Sequence, residues 1–315
     1  MIRLGISACL MGHAVRYDGG HQLDRFLRDV LGCFVEWVPV CPEVECGLPV
    51  PREAMRLVDH GGTVRLVTRV TGVDHTGRML EWASKRLDEL ERMDLCGFVF
   101  KSKSPSSGMV GVKVYHPGGG GAPRKNGIGL FAGAFMRRFP MMPVEDDGRL
   151  NDPALRENFI ERIFVYGRWR KIVHPNPTAA KWMDFHTAHK LLLMAHSPKT
   201  LVVLGRMVAS AKTASLEEGM EQYLSQLMTA LKLPATVKKN VNVLQHIMGY
   251  FKKQLTHDEK QELHQVIENY HRGWIPLLVP VILLNHYVRK FSQPYLKNQW
   301  YLYPHPDELK LRNHA

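Results

Sequence analysis

The sequence predicts an α/β domain with a mainly parallel, Rossmann-like sheet, followed by an all-α domain. Two observations favour this order. Short apolar runs alternate with amphipathic segments through the first half, and from residue 149 onward the apolar spacing is helical. The stretch "HPNPTAA" (174–180) interrupts that spacing and is typical of a linker. We therefore place the α/β domain at residues 1–173 and the all-α domain at residues 180–315.

The first half contains runs that are typical of strands and of helices. We predict strands at residues 2–8, 34–40, 63–70 and 96–100, and helices at 22–32 and 75–93. Because helical segments separate the strands, the sheet should be mainly parallel and should bind ligands beyond the carboxyl ends of its strands. Cys9, Cys41 and the loop "KSKSPSSGMVG" (101–111) each follow a predicted strand. Three strand-end loops are therefore expected to converge on one site.

The second half reads as several amphipathic helices with short breaks. Asn151 or Asp152 can cap the first of them, and Pro153 suits its first turn. The longest apolar stretch, "WIPLLVPVILL" (274–284), is too short to span a bilayer and holds two prolines. The N-terminal sequence lacks the basic-then-apolar run of a signal peptide. We expect a cytoplasmic protein with no membrane partner.

The positive charge is concentrated in the second half. The net charge of the 315 residues is +12. Residues 1–160 carry 21 Lys and Arg against 19 Asp and Glu, whereas residues 161–315 carry 21 against 11, which leaves +2 and +10. Such asymmetry indicates a polyanionic partner, with RNA or DNA first and an anionic membrane surface second.

Basic residues interleaved with aromatic ones favour RNA among these partners. Lysine contacts phosphates, and aromatic rings stack on bases. The residues concerned are Lys238, Lys239, Tyr250, Phe251, Lys252 and Lys253. The alternative is a solvated helix face above core aromatics.

All five cysteines lie in the first third of the chain. An odd number in a chain of this size argues against a secreted disulfide scaffold, so metal binding or thiol chemistry is the functional interpretation and buried apolar cysteine the alternative. Cys33 and Cys96 have apolar neighbours, and we predict both to be in the core. Cys9 and Cys41 form a candidate thiolate site. Glu43, two residues beyond Cys41, is placed to act as a general base.

Charged residues near the predicted strand ends are candidates for substrate binding. Arg16 and Asp18, in "VRYDGG", either bind substrate or form a surface ion pair. Lys101 and Lys103 either hold a phosphate near the site or are solvated at a strand end.

Two further motifs carry weaker signals. His186 and His189 stand three residues apart on a predicted helix, as metal ligands can, but no third ligand is evident, and packing or capping roles are the alternative. The four glycines at 118–121, within "YHPGGGGAPRKNG" (115–127), either approach a phosphate or belong to a surface loop.

Three motifs in order, "ACLMGHAVRYDGG", "VPVCPEVECGLPVPRE" and "KSKSPSSG", resemble the thiouracil desulfidase family. These are iron–sulfur enzymes that remove sulfur from thiolated pyrimidines. In the second half, "GRLNDPALRENFIERIF", "FHTAHKLLLMAHS", "NVLQHIMGYFKKQL" and "IPLLVPVILLNHY" resemble the helical domain of a longer bacterial form. That form is implicated in removing sulfur from 4-thiouridine in tRNA, and the resemblance covers nearly the whole chain.

The resemblance implies a [4Fe–4S] cofactor and assigns roles to particular residues. It makes Cys9 and Cys41 ligands of the cluster, with a third ligand from a cysteine in an "SPSCG" loop, and it leaves the fourth iron without a protein ligand. It makes Glu43 and Ser104 the catalytic pair. It also makes Arg16 and Asp18 suitable for binding the substrate.

The sequence departs from this family at the third ligand, because position 107 is Ser107. A neutral hydroxyl is a much poorer ligand for iron than a thiolate. Three interpretations stay open. Cluster binding is weakened or lost, Ser107 binds iron as an alkoxide, or Cys46 moves in as the third ligand. The departure bears on the expected activity and leaves the expected fold unchanged.

The resemblance therefore predicts a desulfidase that converts 4-thiouridine in tRNA to uridine and sulfide. It implies the iron–sulfur assembly machinery and tRNA as partners, with the residues from 180 onward helping to hold the tRNA. One alternative is an RNA-binding protein with a degenerate cluster site. Another is a desulfidase that acts on free thiolated bases or nucleosides.

Overall fold

The computed structural model describes residues 1–118, 121–211 and 215–313. The chain forms two compact units, Met1–Phe159 and Ile160–Ala315, and the division falls inside one long helix. The first unit combines strands with helices, and the second is helical in its described residues, which confirms the predicted fold class. The catalytic and tRNA-binding roles assigned to residues 1–173 and 180–315 stay predictions.

The first unit contains all of the described strands. In chain order they are β1 (Ile2–Ser7), β2 (Val35–Val40), β3 (Met55–His60), β4 (Thr63–Thr68), β5 (Leu95–Phe100), β6 (Val112–Tyr115), β7 (Arg124–Gly127) and β8 (Val144–Asp146). Its helices are α1 (Pro42–Glu45), α2 (Thr76–Arg92) and α3 (Leu130–Arg138), and α4 (Pro153–Val173) continues into the second unit. The strand predicted at 96–100 and the helix predicted at 75–93 are thus confirmed within one residue at each end.

Four of these strands form a parallel sheet in the order β2-β1-β5-β8. Strand β5 is buried along its whole length, as its unbroken apolar sequence predicts. Ser7 lies beside Val40 at the end of the first two strands. The chain therefore leaves β1, β2 and β5 at the same edge of the sheet, which is where the predicted site residues follow.

The other four strands form a second, mixed sheet in the order β4-β3-β6-β7. The strand predicted at 63–70 exists as β4, but it is not part of the parallel sheet. The physical reason is a tight turn: Gly61 and Gly62 both have positive φ, at 62° and 90°, and reverse the chain directly from β3 into β4.

The helix predicted at 22–32 is shorter and less regular than expected. A single π-helical turn, Phe26–Val30, runs into a 3-10 turn, Leu31–Cys33, and buries Leu27 and Leu31. Cys33 is exposed, so its prediction as a core residue is wrong, because the last residue of this turn faces solvent. The other core prediction, Cys96, is confirmed.

The second unit consists of helices in its described residues. They are α5 (Ala179–His196), α6 (Pro198–Ala209), α7 (Leu216–Leu231), α8 (Val237–Tyr250), α9 (His257–His271), α10 (Leu278–Lys290) and α11 (Pro294–Lys297). Helix α5 packs against α6, α7 and α8. Among the described residues, none of the helices has the length and apolar character needed to cross a membrane.

Helix α4 begins as the sequence predicts. Asp152 is the capping residue, since its Oδ1 accepts hydrogen bonds from the backbone N–H groups of Ala154 (2.9 Å) and Leu155 (3.0 Å). Pro153 is the first helical residue.

A buried ion pair connects α4 and α5 within the second unit. His196 Nε2 lies 2.6 Å from Glu161 Oε1, and both side chains are almost fully buried. Burial alone would lower the pKa of His196, but the Glu161 carboxylate outweighs it and holds that pKa above its usual value. His196 Nδ1 also lies 2.6 Å from the carbonyl oxygen of Leu233, which suits a doubly protonated ring.

Replacing His196 by glutamine should therefore destabilise the protein more at mildly acidic pH than at alkaline pH. Because the folded pKa is raised, the ion pair contributes fully below the ordinary pKa of histidine and is lost as the pH rises through the folded pKa. Breaking a buried pair costs about 3–5 kcal/mol, and Arg312, which lies 3.6 Å from Glu161 Oε2, should keep the loss at the lower end of that range. We expect a loss of that size in the free energy of unfolding at about pH 6 and a smaller loss at about pH 9, both by denaturant titration.

The exposed His257, whose ring lies 3.6 Å from Asp258, provides the control. His257→Gln should change the free energy of unfolding little at either pH. Equal losses at both pH values for His196→Gln would show that His196 is not charged in the folded protein.

Candidate active site

A cavity of about 370 Å³ opens at the carboxyl edge of the parallel sheet. The loops that follow β1, β2 and β5 all line it, so the predicted convergence of three strand-end loops is confirmed. Eight of the predicted site residues line this cavity: Cys9, Arg16, Cys41, Glu43, Lys101, Lys103, Ser104 and Ser107. Asp18 is not among the lining residues.

The two thiols of the cavity are buried and hold their protons tightly. Burial raises the pKa of Cys9 to about 11 and that of Cys41 to about 12, and the negative charge of Glu43 acts in the same direction. A bound metal needs thiolates, so metal binding at this site would release protons and reverse these shifts.

Helix α1 determines which carboxylate faces the cavity. Its first residue is Pro42, and the backbone N–H of Cys41 donates to Glu45 Oε1 at 2.8 Å. Glu45 also pairs with Arg86 at 3.2 Å, outside the cavity lining. Glu43, one residue after the proline, is left to line the cavity.

The carboxylate of Glu43 is held by its neighbours. Ser106 Oγ donates to Glu43 Oε1 at 2.5 Å. Arg52 Nη2 lies 3.8 Å from Glu43 Oε2, and Cys41 Sγ lies 3.6 Å from the same oxygen. The base candidate is therefore fixed beside the thiol of Cys41 and is paired with a hydroxyl and a guanidinium.

Ser106 is a residue that the sequence analysis missed. It is fully buried and lies between Glu43 and Ser104, whose Oγ is 3.0 Å from Ser106 Oγ. No hydrogen bond in the described residues joins Ser104 to Glu43 directly. The predicted catalytic pair is thus connected through the hydroxyl of Ser106. Sequence alone could not have indicated which serine contacts the carboxylate.

The loop that contains Ser104, Ser106 and Ser107, here called the serine loop, is hydrogen-bonded to the start of α3. The backbone N–H of Phe131 donates to the carbonyl of Ser106 at 3.0 Å, and that of Gly129 donates to Gly108 at 2.8 Å. Ser104 Oγ also accepts from the backbone N–H of Ser107 at 3.1 Å. The unpaired donors at the helix N-terminus are thereby satisfied by the loop, which holds its hydroxyls in place.

Three of the four predicted substrate-binding residues, Lys101, Arg16 and Asp18, already form ion pairs. Lys101 Nζ pairs with Asp147 Oδ2 at 2.6 Å and is partly buried. Arg16 Nε lies 3.5 Å from Asp18 Oδ1. A hydrogen bond from the backbone N–H of Gly20, more than the charge of Arg16, lowers the pKa of Asp18.

Two arginines that the sequence analysis did not select also line the cavity. Arg52 is almost buried beside Glu43, and Arg69 is exposed. Within the described parts of the chain, no ion pair involves Arg69 or Lys103. Among the residues that the structure describes, the cavity wall therefore combines several cations with the single carboxylate of Glu43; the cations are Arg16, Arg52, Arg69, Lys101 and Lys103.

Cys46 lies apart from the other two thiols. It is half-buried and packs against the apolar cluster that includes Leu57 and Leu66 of the second sheet and Met79 of α2. Its Sγ lies 3.2 Å from the backbone carbonyl of Glu43, and Cys46 does not line the cavity. For Cys46 to act as a third ligand, its side chain would have to move into the cavity.

The two predicted histidines have packing roles. His186 Nδ1 lies 3.1 Å from the hydroxyl of Tyr223, and His189 lies between Arg168 and the carbonyl of Phe185. In residues 1–118, 121–211 and 215–313, no group of three or more His, Cys, Asp or Glu side chains is arranged to hold a metal ion.

Some of the basic and aromatic residues predicted to contact RNA are engaged or buried inside the protein. Lys239 Nζ donates to the carbonyls of His196 and Pro234, and Phe251 is in the core. Tyr250 is 36% exposed. In the glycine run at 118–121, Gly119 and Gly120 lie outside the described residues.

Comparison with known proteins identifies two matching families. Residues 4–147 match the family described as 2-thiouracil desulfurase. Residues 190–306 match a family described as a protein of unknown function, DUF1722.

Three individual proteins are similar to parts of the chain. The uncharacterized protein YbgA of Escherichia coli (strain K12) is 31% identical over 165 residues, which are 52% of this chain and 98% of YbgA. The uncharacterized protein YbbK of Bacillus subtilis (strain 168) is 30% identical over 109 residues, which are 33% of this chain and 71% of YbbK. The solved structure of the [4Fe-4S]-dependent thiouracil desulfidase TudS is 27% identical with a TM-score of 0.40, and the match covers 51% of this chain and all of that one.

Proposed function

Because the chain belongs to the 2-thiouracil desulfurase family, we propose that it is an iron–sulfur-dependent, non-redox desulfidase acting on a thiolated uridine. The proposed substrate is 4-thiouridine in tRNA, and the products are uridine and sulfide. The observation that carries this proposal is one cavity lined by two buried thiols, Cys9 and Cys41, and by the carboxylate of Glu43.

Two donors of this cavity suit a [4Fe–4S] cluster, and the third position carries a hydroxyl. Thiolates are the usual ligands of such clusters, and Cys9 and Cys41 are both buried at the cavity wall. Ser107, 4% exposed, lines the same cavity at the third ligand position. We infer that these three residues hold the cluster. When bound, the cluster supplies a Lewis-acidic iron that suits the soft sulfur of a thiocarbonyl and draws electron density from its carbon.

The chain's own residues move the protons. Glu43 takes a proton from the water that attacks the thiocarbonyl carbon, a contribution that is typically about 10²–10⁴-fold in rate. Ser106 hydrogen-bonds to Glu43 Oε1 and to Ser104. In this proposal Ser104 returns a proton to the departing sulfur. The C–S bond breaks, the carbonyl of uridine forms, and no electron is gained or lost overall.

The electrostatics of the chain support an anionic substrate. Lys103 and Arg69 are exposed at the cavity and are free of ion pairs in the described residues, so both can meet phosphate groups. Residues 161–315 carry the excess of ten positive charges. A small neutral base would need neither feature, which favours tRNA over a free thiolated base.

The test is sulfide release by protein whose cluster has been reconstituted without oxygen. Thiolated tRNA should be turned over with a higher kcat/KM than free 4-thiouridine, because only the tRNA meets the cationic groups. A nucleoside that is the better substrate would remove tRNA from the proposal and keep the desulfidase. Protein that carries iron and releases no sulfide from either substrate would overturn the proposal as a whole.

The affinity for tRNA should fall steeply with salt. Six phosphate contacts would cost roughly a thousandfold in affinity between about 50 and about 200 mM salt. Filter binding over a salt series measures the slope. An affinity that hardly changes with salt would show that the basic residues do not bind the RNA backbone.

A second candidate is an RNA-binding protein without a cluster. The specific observation that favours it is Ser107, because a hydroxyl replaces the third thiolate. Under this candidate, reconstituted protein would bind tRNA and retain no iron.

A further inference from the structure

A second cavity, of about 470 Å³, lies in the helical unit and shares no residue with the proposed catalytic site. Three aromatic side chains line it: Tyr295, Trp300 and Tyr303. Trp300 and Tyr303 are each 37% exposed. Single exposed aromatic residues are common on protein surfaces, but several that line one cavity indicate a binding site.

The ring of Trp300 is held in a fixed orientation. Arg168 lies over this ring, with its guanidinium carbon 4.1 Å from the ring centroid. Arg168 is itself fixed, because its Nε donates to His189 Nε2 at 3.1 Å and its Nη1 donates to the carbonyl of Pro304 at 3.0 Å. With one face packed on the guanidinium, the indole is ready to stack on a ligand without reorganising.

Hydrogen bonds also fix the backbone at Gln299 and Trp300, two residues that line the cavity. The buried side chain of Gln299 donates to the carbonyl of Thr187 at 2.8 Å and accepts from the backbone N–H of Leu191 at 3.3 Å. The backbone N–H of Trp300 donates to the carbonyl of Ala188 at 2.9 Å. The aromatic residues are therefore presented from a rigid attachment to α5.

Polar side chains at the same cavity have unused hydrogen-bonding capacity. Asp184, Lys297 and Asn298 are exposed and line the cavity, and their side chains make no hydrogen bond or ion pair within the described residues. Lysine suits a phosphate, while a carboxylate and an amide suit the polar edge of a base. Flat rings beside these groups match the faces of a nucleobase.

We propose that this cavity binds an unpaired nucleotide of an RNA strand, with the base stacked on Trp300 and Tyr303 and the phosphate near Lys297. The net charge of +10 on residues 161–315 favours a polyanion over a neutral peptide or a second copy of the chain. Stacking requires exposed base faces, so the strand must be single-stranded at this point.

The test uses the full chain and a labelled oligouridylate, with fluorescence anisotropy as the measurement. Trp300→Ala and Tyr303→Ala should each weaken binding by roughly 5- to 150-fold, the range found for loss of one stacking contact. Trp300→Phe should restore most of the affinity. The matched control is Trp274→Ala, because Trp274 is 66% exposed and also lies over an arginine, Arg272, at 5.0 Å, but is not at the cavity.

The control should bind the oligonucleotide as the wild type does. Equal loss in Trp274→Ala, unchanged binding in both cavity variants, or equal competition by duplex RNA would each overturn the proposal. Thermal unfolding of every variant identifies a variant that has lost its fold. Since binding is measured without turnover, the absence of desulfidase activity would not affect this result, nor would loss of this site remove the activity on free nucleoside.

Discussion

Glu43→Gln should lower the rate of sulfide release by roughly 10²–10⁴-fold and leave the iron content of reconstituted protein unchanged. A carboxamide cannot take a proton from water. It keeps an oxygen that can accept from Ser106 Oγ, so the local structure should persist. The measurements are kcat on thiolated tRNA and iron per chain.

Glu45→Gln is the matched control, because Glu45 stands in the same helical turn. Its Oε1 accepts from the backbone of Cys41 at 2.8 Å, and an amide oxygen can do the same. We expect a rate close to that of the wild type. Ser106→Ala, which removes the donor to Glu43, should give an intermediate rate. A Glu43→Gln variant that is no slower than Glu45→Gln would show that Glu43 is not the base.

Ser107→Cys should raise the iron and sulfide content towards the roughly four of each in a complete cluster. A buried thiolate binds iron far better than a hydroxyl does. The fixed loop places residue 107 in the same cavity as Cys9 and Cys41. The measurements are iron and sulfide per chain and the rate of iron loss to a chelator.

Two controls identify the position of the third ligand. Ser102→Cys adds a thiol to the same cavity and should not change the iron content. Cys46→Ala should also have no effect, because Cys46 packs against the apolar cluster of the second sheet. If Cys46→Ala removed iron from the wild-type chain, Cys46 would be the third ligand and α1 would have to rearrange. If Ser107→Cys gained no more iron than Ser102→Cys, residue 107 would not be a ligand.

Three strands of the parallel sheet and the convergence of the loops that follow them could be predicted because both depend on local pattern, whereas the three-residue β8 was not predicted. Each of β1, β2 and β5 is a short apolar run followed by a residue with chemical function. The second sheet could not be predicted in the same way. Strand β7 reads Arg-Lys-Asn-Gly and has no apolar residue, so only pairing with β6 makes it a strand.

The details of the site depend on contacts between distant parts of the chain. Ser104, Ser106 and Ser107 have the same chemistry, and the attachment of their loop to α3 determines which one reaches Glu43. Cys33 shows the same limit. Apolar neighbours predicted a core position for Cys33, yet Leu31 occupies the core beside it.

Because the serine loop is attached to α3, its hydroxyls are ordered before any substrate binds. A Cβ on Gly129 would lie 2.5 Å from the backbone of Ser106, so the helix and the loop are in direct contact there. The entropy of ordering this loop is therefore lost when the protein folds and not when the substrate arrives. The hydroxyls of the loop therefore have their geometry before the substrate binds. A side chain added at residue 129, which is remote in sequence from the serine loop, would disturb that geometry.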